Sequence, residues 1–333
     1  MSMMEGHRSG KTMYSIPLGM AGRALSLHTD SKRVAQLAAG FFPSGGMQPT
    51  DPPRAALTML VSKRRVGPWT AAAFPIFRGR SEYVHADYGP DGSVWFDLNE
   101  RAVLGVVSDD LIANEELFRR AVLAVIAGIL APSLGLIGLH AGCVVRNGNA
   151  VLLAAASGVG KSTMSLALAL RGWSLLSDDW TFVAMTPTGL QAWGMWTSLK
   201  LLPDAVRYFP GLATQSPAPA LNGEMSYEID PWAFFRIGRA IDAKLTALIL
   251  LERDPGDCIA SGCRFENCGP EETRTALLQE VEEQPKEICV ESDCLPSLLE
   301  RLCALPSFRA RVSGHPAAIA ADLDSFLMEQ VCE

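Results

Sequence analysis

Residues 149–163 read Asn-Ala-Val-Leu-Leu-Ala-Ala-Ala-Ser-Gly-Val-Gly-Lys-Ser-Thr. Asn149 to Ala154 is an apolar run of the length and composition of a buried strand. Ala155 to Ser162 follows the phosphate-loop pattern Gly-x4-Gly-Lys-Ser, with Ala155 in the place of the first glycine. Ser162 to about Arg171 reads as a helix closed by Gly172. A glycine-rich turn between a strand and a helix has a physical use. Gly158 and Gly160 let successive backbone N–H groups turn inward as an anion nest. The helix start adds the positive end of its dipole. Lys161 supplies a mobile cation for the β- and γ-phosphates, and Ser162 an oxygen for Mg²⁺. The plain alternative is a Gly/Ser loop that only caps a helix. Eight positions with a strand before and a helix after favour a nucleotide loop, its binding residues being Ala155, Ala156, Ser157, Gly158, Val159, Gly160, Lys161, Ser162 and the adjoining Thr163.

Working outward, Cys143 to Arg146 and Asn149 to Ala154 are apolar runs joined by Asn147-Gly148, a strong hairpin signal. Fixing a two-residue turn fixes the register: Arg146 opposes Asn149, Val144 opposes Val151, and His140 faces Ala155. His140 is thereby placed beside the first residue of the loop, where it is suited to contact a phosphate or tune a carboxylate. On the other side, Trp173 to Ser177 reads as a short strand followed by Asp178-Asp179. Carboxylates at a strand's C-terminal end beside a phosphate loop lie where metal and γ-phosphate meet. One can serve Mg²⁺ and the other can accept a proton from an attacking hydroxyl. Neighbouring strand residues point opposite ways, so the order of these roles stays open here.

These stretches, His140-Ala-Gly-Cys-Val-Val, Ala-Ser-Gly-Val-Gly-Lys-Ser and Arg171-Gly-Trp-Ser-Leu-Leu-Ser-Asp-Asp179, resemble the catalytic domain of HPr kinase/phosphorylase. That family has the phosphoenolpyruvate-carboxykinase-like nucleotide-binding fold. The resemblance implies ATP and Mg²⁺ as cofactors, with His140, Lys161, Asp178 and Asp179 as active-site residues. It further implies Ser162 as a magnesium ligand beside Asp178, a carboxylate base acting on a substrate serine, and homo-oligomers. Two departures stand out. Thr163 replaces the family's Glu, and Gly194-Met-Trp-Thr-Ser-Leu-Lys-Leu-Leu carries no carboxylate where the family has a further magnesium ligand. They argue against the reverse, phosphorylase reaction and against HPr as substrate. The layout is more similar to divergent HPr-kinase-like proteins, including those that phosphorylate the C-terminal Ser of lasso-peptide precursors.

The expected activity is therefore serine kinase action on a peptide or protein. A small-molecule kinase, or a nucleotide-binding switch or regulatory module without transfer, is the alternative. The chain has neither the Asn-Lys-x-Asp of a GTPase nor the Leu-Ser-Gly-Gly-Gln of an ABC ATPase. With 29 basic against 36 acidic side chains, a net charge of -7 and a pI near 5.4, no nucleic-acid partner is expected. Ala121 to Leu139 is uncharged and apolar, but Pro132 divides it into a helix over 115–131 and a buried strand, so no membrane span is expected. The start Met-Ser-Met-Met-Glu lacks an apolar signal run, which points to the cytoplasm. Cys258, Cys263 and Cys268 lie five apart, wider than structural zinc pairs, and read as free thiols.

The fold class read from these signals is α/β: a small α+β unit over 1–110, then a phosphate-loop catalytic domain with a mixed sheet over 111–333. In the first, Ser31 to Phe41 reads as a helix capped by Asp30, Phe42 to Pro53 as a loop, and Ala56 to Val61, Ser81 to Tyr88 and Ser93 to Asn99 as strands. In the second, Leu245 to Leu251 reads as a buried strand. Glu271 to Glu283, Leu295 to Leu305 and Ala317 to Met328 read as helices, and Ser307 to Val312 as a strand. Lys200, Arg236, Arg239 and Lys244 read as solvated charges within possible reach of phosphate, and Trp193, Trp196 and Trp232 as core aromatics.

Overall fold

The computed structural model describes residues 4–8, 11–43, 52–63, 75–80, 82–195, 198–220, 223–254, 262–282 and 295–331. Cys258, Cys289, Cys294, Cys332, Trp196 and residues 44–51 of the expected loop lie outside them. The chain forms two compact units, divided after Leu136.

The first unit is built on one sheet: β1 (Met4–Arg8), β2 (Lys11–Met20), β3 (Arg23–Thr29), β4 (Ala55–Ser62), β5 (Ile76–Arg80), β6 (Tyr83–Asp87), β7 (Gly92–Asp97) and β8 (Ala102–Ser108). The spatial order is β1-β2-β3-β4-β8-β7-β6-β5, with β4 parallel to both β3 and β8. Helix α1 (Lys32–Phe41) buries Val34, Leu37, Ala38 and Phe41, the apolar side of an amphipathic stretch. Its cap is Ser31, whose hydroxyl accepts from the Val34 N–H. Asp30, expected in that role, instead accepts from the Val61 N–H at 2.8 Å and fastens β4. The helix expected over 115–131 follows α2 (Asp109–Ala113) as α3 (Glu115–Leu117), a wider i→i+5 stretch over Phe118–Leu123, and α4 (Ala124–Leu130). It belongs to the first unit, not to the second as a boundary at 110 would have it. Tyr88 donates to the Ala121 carbonyl at 2.6 Å, and Arg33 pairs with Glu115, so the helix is tied to this sheet and to α1. No helix among the described residues is long and apolar enough to cross a membrane.

The second unit runs β9 (Leu136–Leu139), β10 (Gly142–Arg146), β11 (Asn149–Ala154), α5 (Lys161–Ala169), β12 (Ser174–Ser177), β13 (Thr181–Thr186) and β14 (Gly189–Gly194). A small sheet of β15 (Leu199–Leu201), β16 (Ala218–Pro219) and β17 (Met225–Ile229) comes next, then α6 (Pro231–Phe235), β18 (Gly238–Arg239) and β19 (Asp242–Arg253). The chain closes with β20 (Gly262–Asn267), α7 (Pro270–Glu282), α8 (Leu295–Cys303), β21 (Ser307–Ser313) and α9 (Pro316–Gln330). The main sheet has the order β18-β12-β10-β11-β19-β14-β13-β9, with β21 along the later half of β19 and β20 outside it.

The fold is α/β with a mixed sheet. β11 and β21 are parallel to β19, while β10 is antiparallel to β11. The Asn147-Gly148 hairpin is present, with both residues at positive φ and the register Arg146 to Asn149 and Val144 to Val151. Alternation along the strands builds two cores. Val144, Val151, Leu153, Ile249 and Leu251 pack with α5 and α9 on one face. Cys143, Val145, Leu152, Ala154 and Leu250 pack with α7 and α8 on the other. Helices on both faces explain why β11 is apolar throughout rather than alternating. The β13–β14 hairpin, β5 and β8 went unread in the sequence. Trp193 lies in the core and Trp232 is packed partly against it.

Candidate active site

β11 ends at Ala154, the chain crosses residues 155–160, and α5 begins at Lys161. Gly158 has φ of 80° and Gly160 of 115°, a region open to glycine at no steric cost. No side chain caps the start of α5, so its first N–H groups are left to the loop, as an anion site requires. From the end of β19, the exposed Arg253 donates to the Gly158 carbonyl at 3.1 Å and steadies the turn. Ser162 sits in the first turn of α5, half-buried.

The other expected residues converge here. The Lys161 ammonium donates to the Ala155 carbonyl at 2.7 Å and lies 3.5 Å from His140 Nδ1. His140 Nε2 is 2.8 Å from Asp179 Oδ1. The hairpin register thus delivers His140 to the loop. The Asp pair sits in a tight turn closed by Ser177, whose hydroxyl donates to the Trp180 carbonyl at 2.6 Å. Thr181 ties that turn back to the Ala141 carbonyl, next to His140. Adjacent residues of the turn face opposite ways: Asp178 is buried and Asp179 is exposed. The two carboxylates are therefore not equivalent. Only Asp179 is both open to solvent and bonded to His140.

The neighbouring protein partly desolvates the Asp179 carboxyl, which would push it up. The hydrogen bond from His140, with the charges of His140, Lys161 and Lys200, outweighs it and holds the carboxyl below the ordinary carboxylate range. The base candidate is ionised at neutral pH as a result. Lys200 lies on β15, in the segment where the resembling family carries a carboxylate, and it pairs with Glu224 at 2.6 Å. Its charge contributes to holding the Asp179 carboxyl down. Arg236, Arg239 and Lys244 are exposed, and Arg239 lies over the Trp232 ring at 5.2 Å from its centroid.

One neighbour was missed by the sequence reading. Glu280, from α7 on the far face of the sheet, reaches within 3.6 Å of Lys161 Nζ and 3.5 Å of His140 Nδ1. In the sequence it is one acid among several in an amphipathic helix, with no motif to mark it.

The residues present fit a magnesium nucleotide. A glycine-shaped anion cradle, an uncapped helix start, an ammonium and oxygen donors at Ser162 and Asp178 are the types that such a site uses. Among the described residues, no three His, Cys, Asp or Glu side chains gather as a metal cage. Burial pushes the thiols of Cys263 and Cys268 up, to about 12 and about 11.

No protein-family model matches the chain, and no curated protein matches it. Among solved structures it is similar to the Hpr(Ser) kinase/phosphatase from Coxiella burnetii, at 15% sequence identity, over 58% of this chain and 97% of that chain, with a TM-score of 0.32. A score and identity that low assign no activity, and the function has to be argued from the site itself.

Proposed function

We propose that the chain is an ATP- and Mg²⁺-dependent kinase that transfers the γ-phosphoryl group to a serine hydroxyl of a peptide or protein. The observation that carries this reading is the His140–Asp179 pair, 2.8 Å apart, standing against Lys161 at the phosphate loop. A binding module needs the loop and the lysine. An ionised carboxylate, exposed and aimed by a histidine, is what a hydroxyl acceptor needs in addition.

A serine hydroxyl titrates far above neutral pH, so its oxygen attacks well only while its proton is being taken. Asp179 accepts that proton as the new oxygen–phosphorus bond forms and the bond to the β–γ bridging oxygen breaks, releasing ADP. His140 fixes the orientation of the Asp179 carboxylate. Lys161 and the loop N–H groups balance the charge that moves onto the bridging oxygen. Mg²⁺, when bound, neutralises the β- and γ-phosphate oxygens, and Ser162 and Asp178 are the residues that would hold it.

With ATP as the donor, we place the protein in the cytoplasm. The narrower acceptor suggested by sequence resemblance is a peptide ending in Ser, and self-association comes from that same resemblance. The test is incubation with γ-labelled ATP, Mg²⁺ and a peptide set that includes a C-terminal Ser and its Ala counterpart, read by mass spectrometry. Label on the Ser peptide alone supports the reading. Nucleotide binding without label on any peptide or small alcohol favours the regulatory module instead.

A further inference from the structure

Lys161 Nζ, His140 Nδ1 and Glu280 Oε2 form a nearly equilateral triangle, with edges of 3.5, 3.5 and 3.6 Å. Both the lysine and the glutamate side chains are 8% exposed. Charge-assisted hydrogen bonds close to about 2.7–2.9 Å when nothing holds the partners apart. Lys161 reaches that range with the Ala155 carbonyl, at 2.7 Å, but not with Glu280. The ammonium is thus shared inside the protein between a carbonyl, an imidazole and a carboxylate. A terminal phosphate that draws on Lys161 has to compete with that carboxylate, a like charge 3.6 Å from the same ammonium.

We propose that Glu280 is a positioning residue that works as a charge latch: it holds Lys161 and His140 together and opposes the terminal phosphate for Lys161. The proposal rests on the phosphate-loop kinase reading above. Two consequences follow from the geometry. Glu280 keeps the Nδ1 side of the imidazole engaged, which leaves Nε2 for Asp179 and orders the base before an acceptor arrives. It also weakens binding of ATP more than of ADP, because the repulsion acts where the γ-phosphate lies and falls off with distance. The latch trades nucleotide affinity for a site that is already arranged.

The discriminating experiment is calorimetric titration of the full chain with Mg²⁺-ATP and with Mg²⁺-ADP, for the wild type, Glu280→Gln and Glu280→Asp. Near-ultraviolet circular dichroism confirms the fold of each variant. Gln keeps the shape and removes the charge. ATP affinity should rise about tenfold in that variant while ADP affinity changes by less than about threefold. Glu280→Asp withdraws the carboxylate by one methylene and should shift ATP affinity in the same direction by a smaller factor. A residue that only supports the fold would leave both nucleotides unchanged or weaken both. Unchanged or weaker ATP binding in a folded Gln variant therefore overturns the latch and leaves the kinase reading standing. If the Gln variant does not fold, the Asp variant decides by the same sign. A wild type that binds neither nucleotide overturns the phosphate-loop reading, and the latch falls with it.

Discussion

Two carboxylates in the second unit, Asp324 and Glu280, each sit among basic groups, and they are built differently. Asp324, on α9, accepts from Arg146 Nη1 at 2.7 Å, Trp173 Nε1 at 2.8 Å and Arg171 Nε at 3.1 Å. It is a joint: three donors at hydrogen-bond distance fasten α9 to the end of the Asn147-Gly148 hairpin and to the turn after α5. Around Glu280, basic groups stand at 3.5 and 3.6 Å, and one of them is the phosphate-loop lysine. A closed set of short contacts holds structure, whereas a carboxylate beside the phosphate-loop lysine acts on a charge that a ligand can claim. The comparison also separates roles within one motif. Arg171 and Trp173 belong to the stretch that resembles a kinase family, yet both donate to Asp324, while His140 and Asp179 stand at the loop.

The hardest strain on this contrast is removal of Lys161. Lys161→Ala should lower phosphoryl transfer by about a thousandfold, since nothing else in the loop can follow the γ-phosphate. It also removes the ammonium beside the buried Glu280, so we expect a stability loss of roughly 1–3 kcal/mol, read from urea melts. Adding Glu280→Gln should return most of that stability and none of the turnover. Wild-type turnover in the single variant would remove the site assignment altogether.

Next in size is Asp179→Asn, expected to cost at least about a hundredfold in turnover, the lower end of general-base contributions. His140→Ala should cost less, and its mark should be the pH profile. With its carboxyl held down, Asp179 stays ionised and paired at neutral pH, and the pair is lost only as pH falls through that depressed value. Without the His140 hydrogen bond the carboxyl rises, so the acid limb of the activity profile should move to higher pH. An unmoved limb would mean that another group sets it.

The joint gives the opposite pattern. Asp324→Asn should leave turnover per folded molecule within about twofold while lowering stability by roughly 1–3 kcal/mol, from hydrogen bonds to charged donors. Loss of activity out of proportion to the loss of folded protein would break the division between the two carboxylates.

Much of this site was legible in the sequence because its signals are local. The loop glycines, Lys161 and Ser162 are contiguous, and a two-residue turn is enough to carry His140 to them by register alone. Asp178 and Asp179 were placed by their strand, but their division into buried and exposed needed the turn closed by Ser177. Glu280 could not be read, and Lys200 was read only as a solvated charge within possible reach of phosphate. Each comes from a separate element, α7 and β15, and the side chain's path to the site depends on how those elements pack, which no spacing encodes. In the first unit, Asp30 shows the same limit at small scale. A residue before a helix is a cap by sequence, but β4 offered its carboxylate a backbone donor and Ser31 took the cap.

The smallest expected effect tests whether the loop, too, has its own joint. Arg253 is exposed at the end of β19, and its guanidinium donates to the Gly158 carbonyl at 3.1 Å. That carbonyl belongs to a turn whose neighbouring N–H groups are wanted for phosphate, so fixing it lowers the ordering that a nucleotide must bring about on arrival. An exposed hydrogen bond of this kind contributes about 0.5–1 kcal/mol, which corresponds to a two- to fivefold change in affinity. Arg253→Ala should therefore raise the KM for ATP two- to fivefold and leave kcat within error, the signature of binding that is equal in ground and transition states. A matching fall in kcat would instead make the guanidinium a partner of the transferred phosphoryl group, and the poised region would have to be drawn wide enough to include it.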